Sequence, residues 1–305
     1  MAKVKIIALY QFTPIRDVKN LQEKIVTFCK NKEVFGSLLI APEGINGTIA
    51  GDPNSLDMVV CLIETLEGFN DLNCKISYSD KVPFRKLRVR LKKEIISMGV
   101  PNVDPLEYVG NYIEPDEWNE FSRNADVVLI DTRNDYEVAI GTFKGAINPK
   151  TEKFRDFPDW WSRNAKRFKD KKVAMFCTGG IRCEKASIYL KKKGFKNVYQ
   201  LNGGIINYLN TIDKQNSLWK GECYVFDNRI SLKHKLKQGT YSMCSGCRKP
   251  VSQKEMKSSK YTEGISCPKC HDYLTSEQKS RFAMRQKQIL LAKKSGKSHI
   301  FKKEY

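Results

Sequence analysis

No stretch of the chain is apolar for long enough to cross a membrane, and Met1 to Phe12 lacks the apolar centre and cleavage site of a secretory signal. The protein is therefore expected in the cytoplasm, without a membrane partner. In that setting its ten cysteines read as reduced thiols, metal ligands or catalysts, not as a disulfide framework. A dinucleotide-binding fingerprint is also missing, because the glycine-rich loop of the chain follows a cysteine and lacks the Gly-x-Gly-x-x-Gly pattern. No redox cofactor is thus identified, and no motif speaks to an oligomeric state. Acidic residues are scarce toward the C-terminal end: residues 231–305 hold 18 Lys and Arg against 5 Asp and Glu, which supplies +13 of the formal net charge of +20. That asymmetry favours a polyanionic partner, nucleic acid before an anionic membrane, since each neutralised phosphate releases counterions. A lysine-rich composition by itself gives basic proteins of every kind.

What is present begins with enough chain for two or three domains, 305 residues of which 41% are hydrophobic. Residues 4–10 alternate as a first strand, and Asp17 to Asn31 places Leu21, Ile25, Val26 and Phe28 on one helical face. Strands over 35–40 and 45–50 flank Pro42-Glu43-Gly44, a helix runs from Asn54 or Ser55 to Leu66, and strands over 75–79 and 87–96 follow. This β-α-β-β-α-β order is that of a ferredoxin-like α+β domain over residues 1–98. In its last strand Lys86, Arg88, Arg90 and Lys92 alternate with Leu87, Val89 and Leu91, so a period of two puts four cations on one face. An ordinary solvated face has the same pattern; four cations without an acid among them favour contact with an RNA backbone.

Two prolines within Gly99 to Pro105 mark a linker over 99–109. A middle domain over 110–220 alternates strands with helices: a helix from Pro115 through Phe121, a strand Val127 to Ile130, a helix Asp159 to Phe168, and an apolar run from Val173 that ends at Cys177. Such alternation predicts a mostly parallel sheet flanked by helices, working at the C-terminal ends of its strands. Cys177 lies at one such end and Asp131 at another. After Cys177 the residues Thr178, Gly179, Gly180, Ile181, Arg182 and Cys183 turn, and a helix continues to Gly194. Backbone N–H groups of that turn and the positive end of the helix converge on the sulfur, Arg182 adds a charge, and the two glycines permit positive φ angles. A thiolate is favoured there. Cys177 and Arg182 enclose four residues, whereas the phosphate-holding loop of cysteine phosphatases encloses five, so the cradle suits sulfur better than phosphate. Cys183 is close enough to resolve an oxidised Cys177, though a helix cysteine is more commonly packed.

This loop, with Asp131-Thr132-Arg133, Gly145-Ala146-Ile147-Asn148 and Leu201-Asn202-Gly203-Gly204-Ile205 in that order, resembles the rhodanese domain. The fuller string Cys177 to Ala186, together with Glu43-Gly44-Ile45-Asn46-Gly47-Thr48 upstream, resembles the bacterial oxygen-dependent tRNA uridine 5-hydroxylases that contain a rhodanese domain. The likeness runs from about residue 5 to about residue 275, with no departure at the loop. It implies tRNA as partner, molecular oxygen as cosubstrate, a required Cys177, and Asp131 with Arg133 as an internal ion pair bracing the loop.

Beyond Gly221, Cys244-Ser-Gly-Cys247 and Cys267-Pro-Lys-Cys270 form two C-x2-C pairs separated by 19 residues, the arrangement that delivers four thiolates to tetrahedral zinc. The expectation is a zinc-binding segment over 221–275 in which a structural Zn2+ holds Tyr241 to Tyr273 folded, with Cys223 and His271 as substitute ligands or neighbours and His271 favoured outside the ligand set. Four cysteines leave no open position for water. Residues 276–305 read as a frayed helix and a basic tail that either grips phosphates or solubilises.

Three functions compete on these observations. In the first, which the resemblance implies and the residues alone do not reach, the wobble uridine of tRNA becomes 5-hydroxyuridine, with the Cys177 thiolate adding to C6 of the ring or carrying the oxygen itself, and the cradle and Arg182 stabilising negative charge. In the second, Cys177 carries a persulfide to a thiol, cyanide or a tRNA base. The third is a non-catalytic RNA-binding protein, which the presence of Cys177 disfavours.

Overall fold

The computed structural model describes residues 3–107 and 110–296, and the chain divides into two compact units. The first runs through Asp227 and takes back Leu232–Gln238; the second comprises Asn228–Ser231 and the chain from Gly239 onward.

Within the first unit, the N-terminal layer runs β1 (Val4–Phe12), α1 (Val18–Cys29), β2 (Val34–Ala41), β3 (Gly44–Gly51), α2 (Pro53–Glu64), β4 (Asn73–Ser79) and β5 (Leu87–Leu91). The strands lie in the order β4-β1-β3-β2-β5, with β1, β3, β4 and β2 antiparallel to their neighbours and β5 added parallel to β2 at the edge. Both helices start where a carboxylate satisfies an orphan N–H: Asp17 accepts from Asn20 N and Asp52 from Ser55 N, each at 2.9 Å. Ile7 and Leu9 of β1 share a buried cluster with Leu21 and Ile25 of α1 and Val59 and Ile63 of α2. Strand periodicity turns Ala8 and Tyr10 to the opposite face. The basic stripe belongs to this added edge strand, and that strand is shorter than the sequence suggests. It ends at Leu91, not Ile96, because Glu94 folds back to accept from Met98 N at 3.0 Å and Gly99 N at 3.2 Å, while Ile95 N donates to Glu43.

A second sheet, order β6-β10-β9-β7, is wholly parallel: β6 (Asn111–Ile113), β7 (Val127–Asp131), β9 (Lys172–Phe176) and β10 (Val198–Leu201). Around it lie α3 (Pro115–Arg123), α4 (Asp135–Val138), the hairpin strand β8 (Gly141–Phe143), α5 (Phe157–Asn164), α6 (Ile181–Lys192), α7 (Gly204–Thr211) and β11 (Trp219–Gly221), which pairs with β8. The segment expected as one helix over 159–168 divides into α5, starting two residues earlier with Pro158 in its first turn, and a 3-10 turn at Ala165–Phe168. Trp118 is fully buried against Phe143 and Phe176 and serves the core. Trp161 is likewise buried, among Phe157, Phe168 and Phe195.

In the second unit, two short strands, Ser242–Met243 and Pro250–Val251, pair around the first cysteine knuckle, and α8 (Ser276–Lys294) follows. Instead of fraying at its start, α8 opens on a capping box in which Thr275 and Gln278 bond reciprocally at 2.9 and 3.2 Å. The remaining tail residues, 297–305, lie outside the described residues, as do Tyr108 and Val109 of the linker.

Candidate active site

β9 delivers Cys177 to the C-terminal edge of the parallel sheet, and α6 begins four residues later. The loop between them curls because Gly180 adopts φ +104°; Gly179 does not take a positive φ. This directs the Gly180 N–H at the sulfur, with 3.1 Å from N to Sγ. From behind, the first turn of α7 fixes the loop: Ile205 N donates to Cys177 O and Ile206 N to Thr178 O, both at 3.0 Å. That close approach requires Gly204, where a Cβ would lie 2.6 Å from Cys177 O.

Cys177 is fully buried. Burial is the largest influence on its thiol and acts upward; the hydrogen bond from Cys183, the Arg182 charge and the N–H groups of Arg182 and Cys183 overcome it and bring the thiol down to about 5. These surroundings favour the thiolate over the thiol. Cys183, buried and within 3.6 Å of Thr132 Oγ1, is pushed well above the usual thiol range by burial and by the Cys177 charge, and so remains the donor of the pair.

Arg182 does not point freely into the cradle. Its Nη1 and Nη2 each lie 2.8 Å from a carboxylate oxygen of Glu137, a fully buried residue of α4 that the sequence reading did not single out. Thr178 joins the pair, with Oγ1 3.4 Å from both Arg182 Nη2 and Glu137 Oε2. Burial pushes Glu137 up, yet Arg182 and then Arg133 hold its carboxyl below the ordinary range. Asp131 and Arg133 form the neighbouring pair, Nε to Oδ1 at 2.9 Å and Nη2 to Oδ2 at 2.7 Å, with no exposure; Arg133 also donates to Gly141 O and faces the Trp219 ring at 5.1 Å. Ile181, whose backbone opens α6, completes the loop.

The N-terminal layer also reaches the loop, which the sequence reading missed. Tyr10 Oη lies 3.0 Å from where a Gly180 Cβ would sit, and it donates to Glu184 of α6 at 3.1 Å. Glu184 further accepts from Tyr112 Oη at 3.0 Å and Gln200 Nε2 at 2.9 Å; burial, reinforced by the Cys177 charge, raises its carboxyl despite these bonds. The next residue, buried Lys185, bonds Glu43 at 2.8 Å and Glu94 at 2.7 Å. Glu43 opens the upstream string Glu43 to Thr48, so that string fastens the N-terminal sheet to the helix that begins at the cradle. Only tertiary structure reveals this, since Glu43 and Lys185 lie far apart in sequence.

Lys86, Arg88, Arg90 and Lys92 are all exposed, while Leu87, Val89 and Leu91 pack partly against the core. They form a separate surface stripe. In the second unit Cys244, Cys247, Cys267 and Cys270 converge, all four sulfurs lying within 4.8 Å of one another. Three of the sulfur pairs measure 3.7 to 3.8 Å. A zinc–sulfur bond of about 2.3 Å places tetrahedral sulfurs about 3.8 Å apart, so the residues fit the metal. His271 bonds Asp272 and is not in the group, and Cys223 is buried in the first unit against Tyr224 O.

A parallel sheet ending on a cysteine cradle defines a rhodanese-fold protein. Matching family descriptions agree along the chain: an acylphosphatase-like domain of the UPF0176 group over residues 4–95, a rhodanese-like domain over 114–211 and a rhodanese C-terminal domain over 220–280. More specifically, a Teredinibacter turnerae protein named tRNA uridine(34) hydroxylase is 48% identical over 300 residues, covering 98% of this chain and 94% of that one. The chain belongs to the tRNA uridine(34) hydroxylase family. Solved rhodanese-like structures from Anabaena (16% identity, TM-score 0.30, 37% of this chain and 80% of that) and Thermoplasma volcanium (21%, 0.26, 32% and 90%) are similar too weakly to add weight.

Proposed function

We propose that the protein hydroxylates the wobble uridine of tRNA at C5, giving 5-hydroxyuridine, with Cys177 at the centre of the reaction. The observation that carries this reading is the full-length match to a named tRNA uridine(34) hydroxylase, and the preformed Cys177 thiolate gives it chemistry. Molecular oxygen is the oxygen source in this reading, which makes the enzyme an oxidoreductase: one oxygen atom enters the C5–H bond and the other leaves as water, with two electrons from an external reductant. The cradle N–H groups hold negative charge at sulfur, and Glu137 keeps Arg182 in place beside it. A cytoplasmic location follows from a tRNA substrate, and no helix among the described residues is long and apolar enough to span a membrane. Zn2+ at the four cysteines has a structural role, because the set is closed.

The test is nucleoside mass spectrometry of tRNA from cells lacking the protein, complemented with wild type or Cys177→Ala. Loss of 5-hydroxyuridine and restoration by wild type alone is the expected outcome. Unchanged 5-hydroxyuridine beside loss of a thiolated base would move the assignment to sulfur transfer by a Cys177 persulfide.

The stripe on β5 supplies the tRNA interface in this reading. Changing Arg88 and Arg90 to Gln should weaken tRNA binding and flatten the dependence of log Kd on log salt by roughly one for every phosphate no longer neutralised. An unchanged salt slope in filter binding would make the stripe an ordinary solvated face.

A further inference from the structure

We infer that Lys75, carried by β4 of the N-terminal sheet, is a second cation of the Cys177 centre and that Tyr10 positions it there. Register places the two together: Ala8 pairs with Lys75 and Tyr10 with Asn73, so Tyr10 and Lys75 are diagonal neighbours on the sheet face turned away from α1 and α2. Lys75 Nζ lies 5.2 Å from the centre of the Tyr10 ring and bonds Asn73 Oδ1, and the same asparagine approaches Tyr10 Oη at 3.5 Å. Tyr10 in turn touches the cradle at Gly180 and bonds Glu184. The amine thus reaches the thiolate loop across a single aromatic ring.

Its partners set it apart from two other lysines of this unit. Buried Lys5 is paired with Asp57, and buried Lys185 with Glu43 and Glu94. Lys75 is only partly exposed, yet among the described residues no carboxylate lies within ion-pair distance of it. Arg182 shares its charge between Glu137 and the Cys177 thiolate, so a second cation near the loop has charge left to balance. The groups facing Lys75 are Tyr10 on β1 and Cys177 and Glu184 from the rhodanese layer; Cys74, next to it on β4, packs toward the opposite face. Burial lowers the amine to about 8 against the opposing influence of Cys177 and Glu184, which leaves it cationic while the thiolate is formed. The competing explanation is that β4 is an edge strand, where an inward lysine deters strand pairing with another chain.

The experiment is a pH titration of thiolate ultraviolet absorbance in the full chain, taken as the difference from the same protein carrying Cys177→Ser. In wild type the midpoint is expected at about 5. In Lys75→Met and Lys75→Gln it should rise by about one unit, roughly a tenfold loss of thiolate below the midpoint, and Lys75→Arg should restore it. Tyr10→Ala, which removes the ring, should move the midpoint the same way, and Tyr10→Phe should leave most of the effect in place. Midpoints unchanged in folded Lys75→Met and Lys75→Gln, with near-ultraviolet circular dichroism as the check on folding, would overturn the inference and leave Lys75 as an edge guard. This titration needs no tRNA, so it stands apart from the hydroxylase reading. A shifted midpoint with no 5-hydroxyuridine made even by wild type would sink that reading and keep this one.

Discussion

Glu137→Gln should cost about 3–5 kcal/mol of stability and lower the titration midpoint of Cys177, because the freed Arg182 charge then acts on the thiolate, although the changed side chain keeps its size. The carboxylate is fully buried between two guanidiniums, bonded twice to Arg182 at 2.8 Å and felt by Arg133. Removing its charge takes away the only carboxylate bonded to Arg182 and leaves it the less direct attraction of the Cys177 thiolate and Asp131, and Arg133 retains only Asp131. Glu137 also closes the first turn of α4 through its bond from Asn134 N at 3.2 Å, which glutamine can still accept. The loss is therefore mainly of charge, and a denaturant titration of the variant measures it. The pH dependence has a definite sign. Glu137 is held below its unfolded value, so its stabilisation is complete above the ordinary carboxylate range of roughly 4 and is lost as pH falls through the lower folded value. Wild type should lose stability across that acid window, and the variant should lose less there. Equal stability of the two proteins at neutral pH would refute the account of the Arg182–Glu137 pair as the brace of the cradle.

Much of this site was legible before the fold was known. Cys177, the turn that follows it and Arg182 stand within six residues, and a strand, tight loop and helix are local structures whose anion-holding property follows from backbone geometry alone. The four clustered cysteines were legible for the same reason, as two local knuckles. The stripe on β5 could be read because a period of two assigns faces without any tertiary information, although its strand's end could not, since Glu94 stops it through bonds made only after folding. Glu137 and Tyr10 were not legible. Each is an unremarkable residue of a short helix or an amphipathic strand, and its role arises from a partner 45 residues away in one case and 174 in the other. A buried polar network of this kind leaves no periodic signal.

With zinc at the four cysteines, as proposed, chelation should unfold the second unit while the first unit keeps its structure. The buried cluster there consists of Cys244, Val251, Cys267 and Cys270, with Cys247, Met256, Tyr261 and Leu274 packed against it, so the four candidate ligands make up half the core. Without zinc this segment has too few apolar side chains to offset the entropy of ordering its loops. With zinc, binding free energy becomes folding free energy, about 10–16 kcal/mol in comparable four-ligand peptides near neutral pH. Hydrogen exchange read by mass spectrometry should show residues 242–274 lose protection after chelation, with β7, β9 and α6 still slow. Native mass spectrometry should show one zinc leaving and four thiols becoming reactive. Because the ligands bind as thiolates, acidification should release the metal too, and Cys267→Ser should copy the chelated state. Retained protection over 242–274 in metal-free protein would mean that the cysteine cluster packs as a small hydrophobic core in its own right, and the structural role given to zinc would fall.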